Sequence, residues 1–180
     1  MSESKNNQGK PSDSAGGADI DSSTTTRSAA EEQRLVDAVT DLFEKRITFN
    51  GFLGFKLESL QSGKVIIRFP MRPELVGHYL YGRLHGGVIS SVLDATGGLA
   101  VIWRIAEFYQ SETTMEIMSR FRHLGTVDMR VDYLRQGIGE TFYAEAEVVR
   151  LGRRIAATTM RLRNEEDVLI ATGNANYIVS

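Results

Sequence analysis

The sequence predicts an α+β domain in which an antiparallel sheet wraps around one long central helix, with an extra helix on the N-terminal side. Three observations carry that expectation. Gly86 to about Phe108 is apolar nearly all the way round a helical wheel, which marks a buried helix. After it come four segments that alternate apolar and polar residues with the period of a strand. Two further strand-like segments precede it.

In chain order, residues 1–27 are rich in Ser, Thr, Asn, Gly and Asp, and their large aliphatic residues are Met1 and Ile20. Such a segment cannot bury enough surface to offset its ordering entropy. A disordered low-complexity tail is therefore expected over 1–27, and a single domain over 28–180. Ser28 to Asn50 reads as a helix. Leu35, Val36, Val39, Leu42, Phe43 and Ile47 form its stripe, and Ser28 with Glu31 has capping-box spacing. Phe52–Ser59 and Lys64–Pro70 read as a strand pair turning at Gln61-Ser62-Gly63. Met71–Leu84 reads as a loop.

In the central helix Gly97-Gly98 lowers helix propensity, so close approach of another backbone is expected there. Gln110–Leu124 reads as a short helix or a flap. The last four strands fall at Thr126–Leu134, Glu140–Arg150, Arg153–Asn164 and Val168–Tyr177. Their short connections predict a meander.

Composition narrows the function classes. The chain has 180 residues, 42% apolar and 24% charged, which suits one soluble domain plus a tail. A net charge of -2 gives no basic surplus for nucleic acid. Cysteine is absent, which excludes disulfides, thiolate-bound zinc and a thiol nucleophile. The three histidines have no metal-ligand spacing, so neither metal nor cofactor is expected. The N-terminal residues lack an apolar signal region. The apolar run Leu93–Ala106 is interrupted by Asp94 and Arg104, so no membrane span is expected. A cytoplasmic location follows as the default.

The sharpest motif is His85-Gly86-Gly87-Val88-Ile89-Ser90-Ser91-Val92-Leu93-Asp94. Glycine at a helix start admits a ligand to the backbone. The first helical N–H groups lack intrahelical acceptors and carry the positive end of the dipole, so they suit an oxygen that turns anionic in a transition state. Asp94 interrupts an apolar helix, where a lone carboxylate is costly to bury. Desolvation favours its protonated form, which suits a general base or a nucleophile. Gly86 and Asp94 stand eight residues apart, about 12 Å along a helix axis. One reacting carbon cannot touch both. If both act on it, the amide comes from a second copy, and a two-fold homodimer follows.

These residues, with Gly125-Thr126-Val127-Asp128-Met129-Arg130-Val131-Asp132-Tyr133-Leu134-Arg135 downstream, resemble the PaaI-like group of hotdog-fold acyl-CoA thioesterases. Phe49-Asn50, Leu53-Gly54, Leu57-Glu58 and Leu84-His85-Gly86-Gly87 are similar to its bacterial YigI-type members, which take medium- and long-chain acyl groups. The likeness runs from about residue 34 to 180. It implies a hotdog fold and hydrolysis of fatty acyl-CoA, within fatty acid metabolism. It also implies that Asp94 activates water or attacks the thioester, and that Gly86 supplies an oxyanion-hole amide across a dimer interface. By the same resemblance Thr126 orients water and His85 braces its loop. Where some relatives carry Asn six residues before the His, this chain has Tyr79, preceded by His78. That departure leaves one carbonyl- or water-binding contact without an owner.

Plainer readings stand beside these. Asp94 could be a structural carboxylate paired with an arginine, His85 a general base, and Thr126 a residue that merely opens a strand. His78 could be an ordinary loop histidine. Gly87, Tyr79 and His78 are candidate substrate contacts. Arg153 and Arg154, with Arg150 and Arg135, are candidates for the CoA phosphates, which forked guanidinium donors suit. Trp103, Phe108, Met115, Met118 and Phe121 could line an acyl tunnel. The expected partners are acyl-CoA and a second copy of the chain, with a homotetramer as the alternative to the homodimer. Two rival functions are a hotdog dehydratase or hydratase on a 3-hydroxyacyl or enoyl thioester, and a non-catalytic acyl-CoA-binding protein.

Overall fold

The structure is a computed structural model that describes residues 26–180. The expected tail falls almost wholly on 1–25, outside the described residues. Its last residue, Arg27, is well anchored. The Arg27 guanidinium donates to the carbonyls of Ala106 (2.7 Å) and Tyr109 (2.8 Å) and to Glu32 (2.8 Å).

The N-terminal helix comes in two pieces rather than one. Helix α1 runs Ala29–Asp41, with the Ser28 hydroxyl accepting from Glu31 N as the capping spacing predicts. A π-type turn spans Leu42–Arg46, Ile47 is extended, and α2 spans Thr48–Leu53. The stripe read as continuous because both pieces bury the same side of the chain. Glu44 fixes the break, accepting from Leu57 N (2.8 Å) and the Lys56 ammonium (2.7 Å). Gly54, at a φ of 77°, then ends α2 in the left-handed region. Phe52 therefore belongs to α2, and strand β1 begins later than expected, at Lys56–Gln61.

Strand β2 is Lys64–Pro70. The expected loop after it holds a 3-10 turn and a small hairpin of β3 (Val76–His78) and β4 (Arg83–Leu84). Helix α3 is Gly86–Phe108, α-helical throughout its 23 residues. Helix α4 is Thr114–Arg120, closed by a capping box between Thr113 and Glu116. Arg120 to Glu112 closes its segment on itself, and Thr114 N to Glu31 (2.8 Å) pins it to α1. Strands β5 (Gly125–Tyr133), β6 (Thr141–Leu151), β7 (Ile155–Asn164) and β8 (Leu169–Ile178) follow.

The main sheet has the order β1-β2-β6-β7-β8-β5, antiparallel throughout. The expected four-strand meander is therefore a three-strand meander, and β5 lies outside it beside β8. Period-two alternation reports which face a residue takes but not which strand is its neighbour. Residues 134–140 do not turn back as a hairpin. Leu134 N and Arg135 N both donate to Ile170 O, and Leu84 N donates to Gly137 O, so this link is carried past the ends of β8 and β7.

Helix α3 lies chiefly over β6 and β7. Ala144, Ala146 and Ala156 are buried on that face beside Phe142, Met160 and Leu162. Small residues let the helix axis come close, and the larger ones fill the flanks. This is the hotdog arrangement of a sheet around one helix. The length and composition of α3 would allow a membrane crossing, with mean hydropathy 1.4, yet 67% of its most apolar window is buried within the protein. Apolarity here serves the core.

Candidate active site

Asp94 sits one-third of the way along α3, half-buried. Its carboxylate is held from two strands. The Thr126 hydroxyl, at the start of β5, donates to Oδ1 at 2.7 Å. The Tyr177 hydroxyl, near the end of β8, donates to the Asp94 carbonyl at 2.9 Å and lies 3.3 Å from Oδ1. Both side-chain contacts reach Oδ1, so Oδ2 is the uncommitted oxygen among the described residues. Within the protomer no arginine among the described residues pairs with Asp94.

Tyr177 is the partner that sequence reasoning missed. It reaches Asp94 because position 97 is glycine: a Cβ there would overlap the Tyr177 hydroxyl, and would lie 2.7 Å from Met160 Sδ. The close approach at Gly97 is thus by a side chain, not by the expected backbone. Burial first, and then the Asp94 charge, push the Tyr177 phenol above its ordinary range. It stays protonated and serves as a fixed donor.

Asp94, Thr126 and Tyr177 open on a cavity of about 190 Å³ also lined by Phe43, Ile47, Asn50, Gly98 and Phe121. Its wall is mainly apolar, as an acyl group requires. Asn50 was also missed as a site residue. It is 3% exposed, and its Nδ2 has no hydrogen-bond partner among the described residues. The signal available was an Asn on the inner side of a helix, which local periodicity does not distinguish from a capping residue.

Gly86 lies elsewhere, at the first turn of α3. His85 is the N-cap, and its Nδ1 accepts from Gly87 N at 2.9 Å. Val88 N and Ile89 N both donate to His85 O. Gly86 N is left without an acceptor among the described residues, and Gly86 lines a cleft of about 430 Å³ with Arg83, Tyr133 and Arg135. Tyr133 braces the turn by donating to Gly86 O at 3.1 Å. His85 Nδ1 is thus engaged within its own turn, and the Gly87 amide is already taken.

The other expected residues spread out. Tyr79, 86% exposed, tips the β3–β4 hairpin, and the ring of His78 stacks on that of Tyr79 and lies tilted against that of Tyr81. Arg153 lines a cavity of about 420 Å³ at the far end of α3 with Ile105, Phe108, Arg120 and His123. Arg154 is an exposed neighbour outside that lining. Of the tunnel candidates, Phe121 faces the Asp94 cavity and Phe108 the far one. Met115 is exposed and Trp103 is buried in the core. Within one protomer, then, Asp94 and Thr126 meet, while Gly86, Tyr79 and the arginines stand apart.

Comparison with known proteins agrees with this architecture. The sequence model of the thioesterase superfamily matches residues 81–171. The chain is 35% identical to the medium/long-chain acyl-CoA thioesterase YigI of Escherichia coli K12 over 147 residues, covering 82% of this chain and 95% of the relative. It is 33% identical to the YigI thioesterase of Salmonella typhimurium LT2 over the same shares. Among solved structures, a Shewanella oneidensis protein related to the thioesterase superfamily superposes with a TM-score of 0.79 at 34% identity, covering 86% of this chain and 100% of that one.

Proposed function

Because the chain belongs to the thioesterase superfamily, we propose that it hydrolyses medium- to long-chain fatty acyl-CoA thioesters to the free fatty acid and CoA. The observation that carries this reading is the Asp94 carboxylate, held by Oδ1 at the edge of an apolar cavity with Oδ2 uncommitted. A water molecule gives its proton to Oδ2, and the resulting hydroxide adds to the thioester carbon. The carbonyl oxygen becomes an oxyanion. Collapse of the intermediate breaks the C–S bond, and the proton on Asp94 passes to the departing CoA sulfur.

The oxyanion needs a donor, and Gly86 N is the unoccupied one. Because α3 is α-helical throughout, the separation of about 12 Å between Gly86 and Asp94 stands. In our reading the amide therefore comes from a second copy, in a homodimer with two equivalent sites at the interface. The exposed outer edge of β5, with Val127 and Tyr133 uncovered, supports such a partner. It is the kind of strand edge that a soluble protein covers or pairs.

A dehydratase or hydratase would pair a histidine with the carboxylate. Within the protomer none of the three histidines bonds Asp94: His85 is on Gly87, His78 lies against tyrosines, and His123 lines the far cavity.

The test is release of free thiol from acyl-CoAs of graded length, with Asp94→Asn alongside. Turnover by the wild type and a loss of at least about a hundredfold in the variant are expected. A wild type inert on every chain length would end the hydrolytic reading and favour a protein that only binds acyl-CoA. A fully active Asp94→Asn would end the assignment of the carboxylate.

A further inference from the structure

Asn50 is a buried carboxamide with no structural duty that its surroundings reveal. It does not cap α2 with its side chain, since Gly54 N and Phe55 N close that helix on the backbone carbonyls of Asn50 and Gly51. Leaving a buried N–H group unpaired is costly, and a leucine could fill the same stretch of wall without that cost. Yet the residue stands in the lining of the Asp94 cavity with Nδ2 unbonded.

We propose that Asn50 holds the nucleophilic water of the hydrolytic reaction. This rests on the function proposed above and follows from counting donors. Water has two hydrogens and two lone pairs. One hydrogen goes to Asp94 Oδ2. The other can go to Thr126 Oγ1, whose own proton is spent on Asp94 Oδ1 while its oxygen can still accept. One lone pair must point at the thioester carbon. The second needs a donor. Thr126 has none left, and the single hydrogen of Tyr177 is committed to Asp94. Asn50 Nδ2 is the side-chain donor remaining in this lining. Its bond to the second lone pair leaves the first free to attack, so the water is oriented as well as bound.

The experiment compares Asn50→Ala and Asn50→Leu with the wild type, measuring kcat, KM and melting temperature on an acyl-CoA that the wild type hydrolyses. The expected result is a fall in kcat of at least about tenfold, the rate equivalent of one hydrogen bond. KM should stay within about twofold, since the acyl chain and CoA lose no contact. The melting temperature of Asn50→Leu should match or exceed that of the wild type, because an unpaired polar group has gone. Unchanged kcat would overturn the proposal, and so would a raised KM at constant kcat. A loss of kcat matched by a loss of folded protein in both variants would make Asn50 structural. A wild type that hydrolyses nothing would instead sink the function on which this rests.

Discussion

Around Asp94 the donors come from the same chain and are already committed, Thr126 on Oδ1 and Tyr177 on the carbonyl. Around Gly86, about two turns away on the same helix, the contacts are of the opposite kind. His85 and Tyr133 brace the turn and leave Gly86 N without an acceptor beside a cleft. In the proposed mechanism the carboxylate half of the chemistry is completed within a protomer, while the amide half waits for a partner. Two functional groups on one helix therefore need not serve one ligand, and the spacing between them decides the matter.

The sharpest way to break this comparison is at Gly86. Proline is tolerated at the first helical position, and His85, with φ -66° and ψ 138°, already has the extended backbone that precedes proline. Gly86→Pro thus removes the amide hydrogen and little else. Activity should fall by about 10² to 10³, as when one oxyanion donor is lost, with melting temperature near the wild type. Mixing this variant with Asp94→Asn should restore roughly a quarter of the activity. Half of the random dimers are then mixed, each with one intact site. No recovery on mixing would refute the shared site.

Gly97→Ala probes the other half. Alanine gains about 1 kcal/mol of helix propensity, but overpacking against Tyr177 costs about 1–3 kcal/mol. The second effect should win, lowering the melting temperature and displacing Tyr177 from Asp94 with a loss of rate. A stabilised and fully active variant would show that the phenol is not needed where it stands.

Tyr177→Phe should be milder, costing about 0.5–1.5 kcal/mol of stability. It also carries a pH signature. The phenol is raised in the folded state by burial and by Asp94, so the folded protein holds that proton more tightly than the unfolded chain. The stability it contributes is complete below the unfolded value of about 10 and is lost as pH rises beyond it. Wild type should therefore lose stability in alkali more steeply than Tyr177→Phe, as followed by thermal melts. The smallest effect is expected from Arg153→Ala with Arg154→Ala. A few-fold rise in KM at constant kcat would assign them to the CoA phosphates, and unchanged KM would remove them from the site.

Much of this was legible from local pattern. The start of α3 follows from His85-Gly86-Gly87, and its length from a circumference that is apolar nearly all the way round. Strand β2 and the β6–β7–β8 meander follow from alternation and short turns. Four features were not legible. The place of β5 beside β8 depends on pairings between distant residues, such as Thr126 with Tyr177, which leave no local period. The break at Ile47 was hidden because both helical pieces bury the same stripe. Tyr177 read as the end of a strand, since its hydroxyl matters only once the fold brings it across Gly97 to Asp94. Asn50 was hidden for the same reason, because an unpaired amide is a property of surroundings and not of sequence.

Arg27 has a practical consequence for where the folded unit begins. Its side chain is 6% exposed and bonds one carbonyl in the last turn of α3, two carbonyls beyond it and one carboxylate, while its own N–H reaches Gln110 O. Hydrogen bonds from a charged donor are each worth about 1.5–3 kcal/mol. A chain trimmed to start at Ser28, where the first helix suggests a cut, would strip this clasp from the far end of the central helix. One that keeps Thr26 and Arg27 would not. Two residues of apparent tail should thus separate a chain that melts like the full-length protein from one that unfolds several degrees earlier.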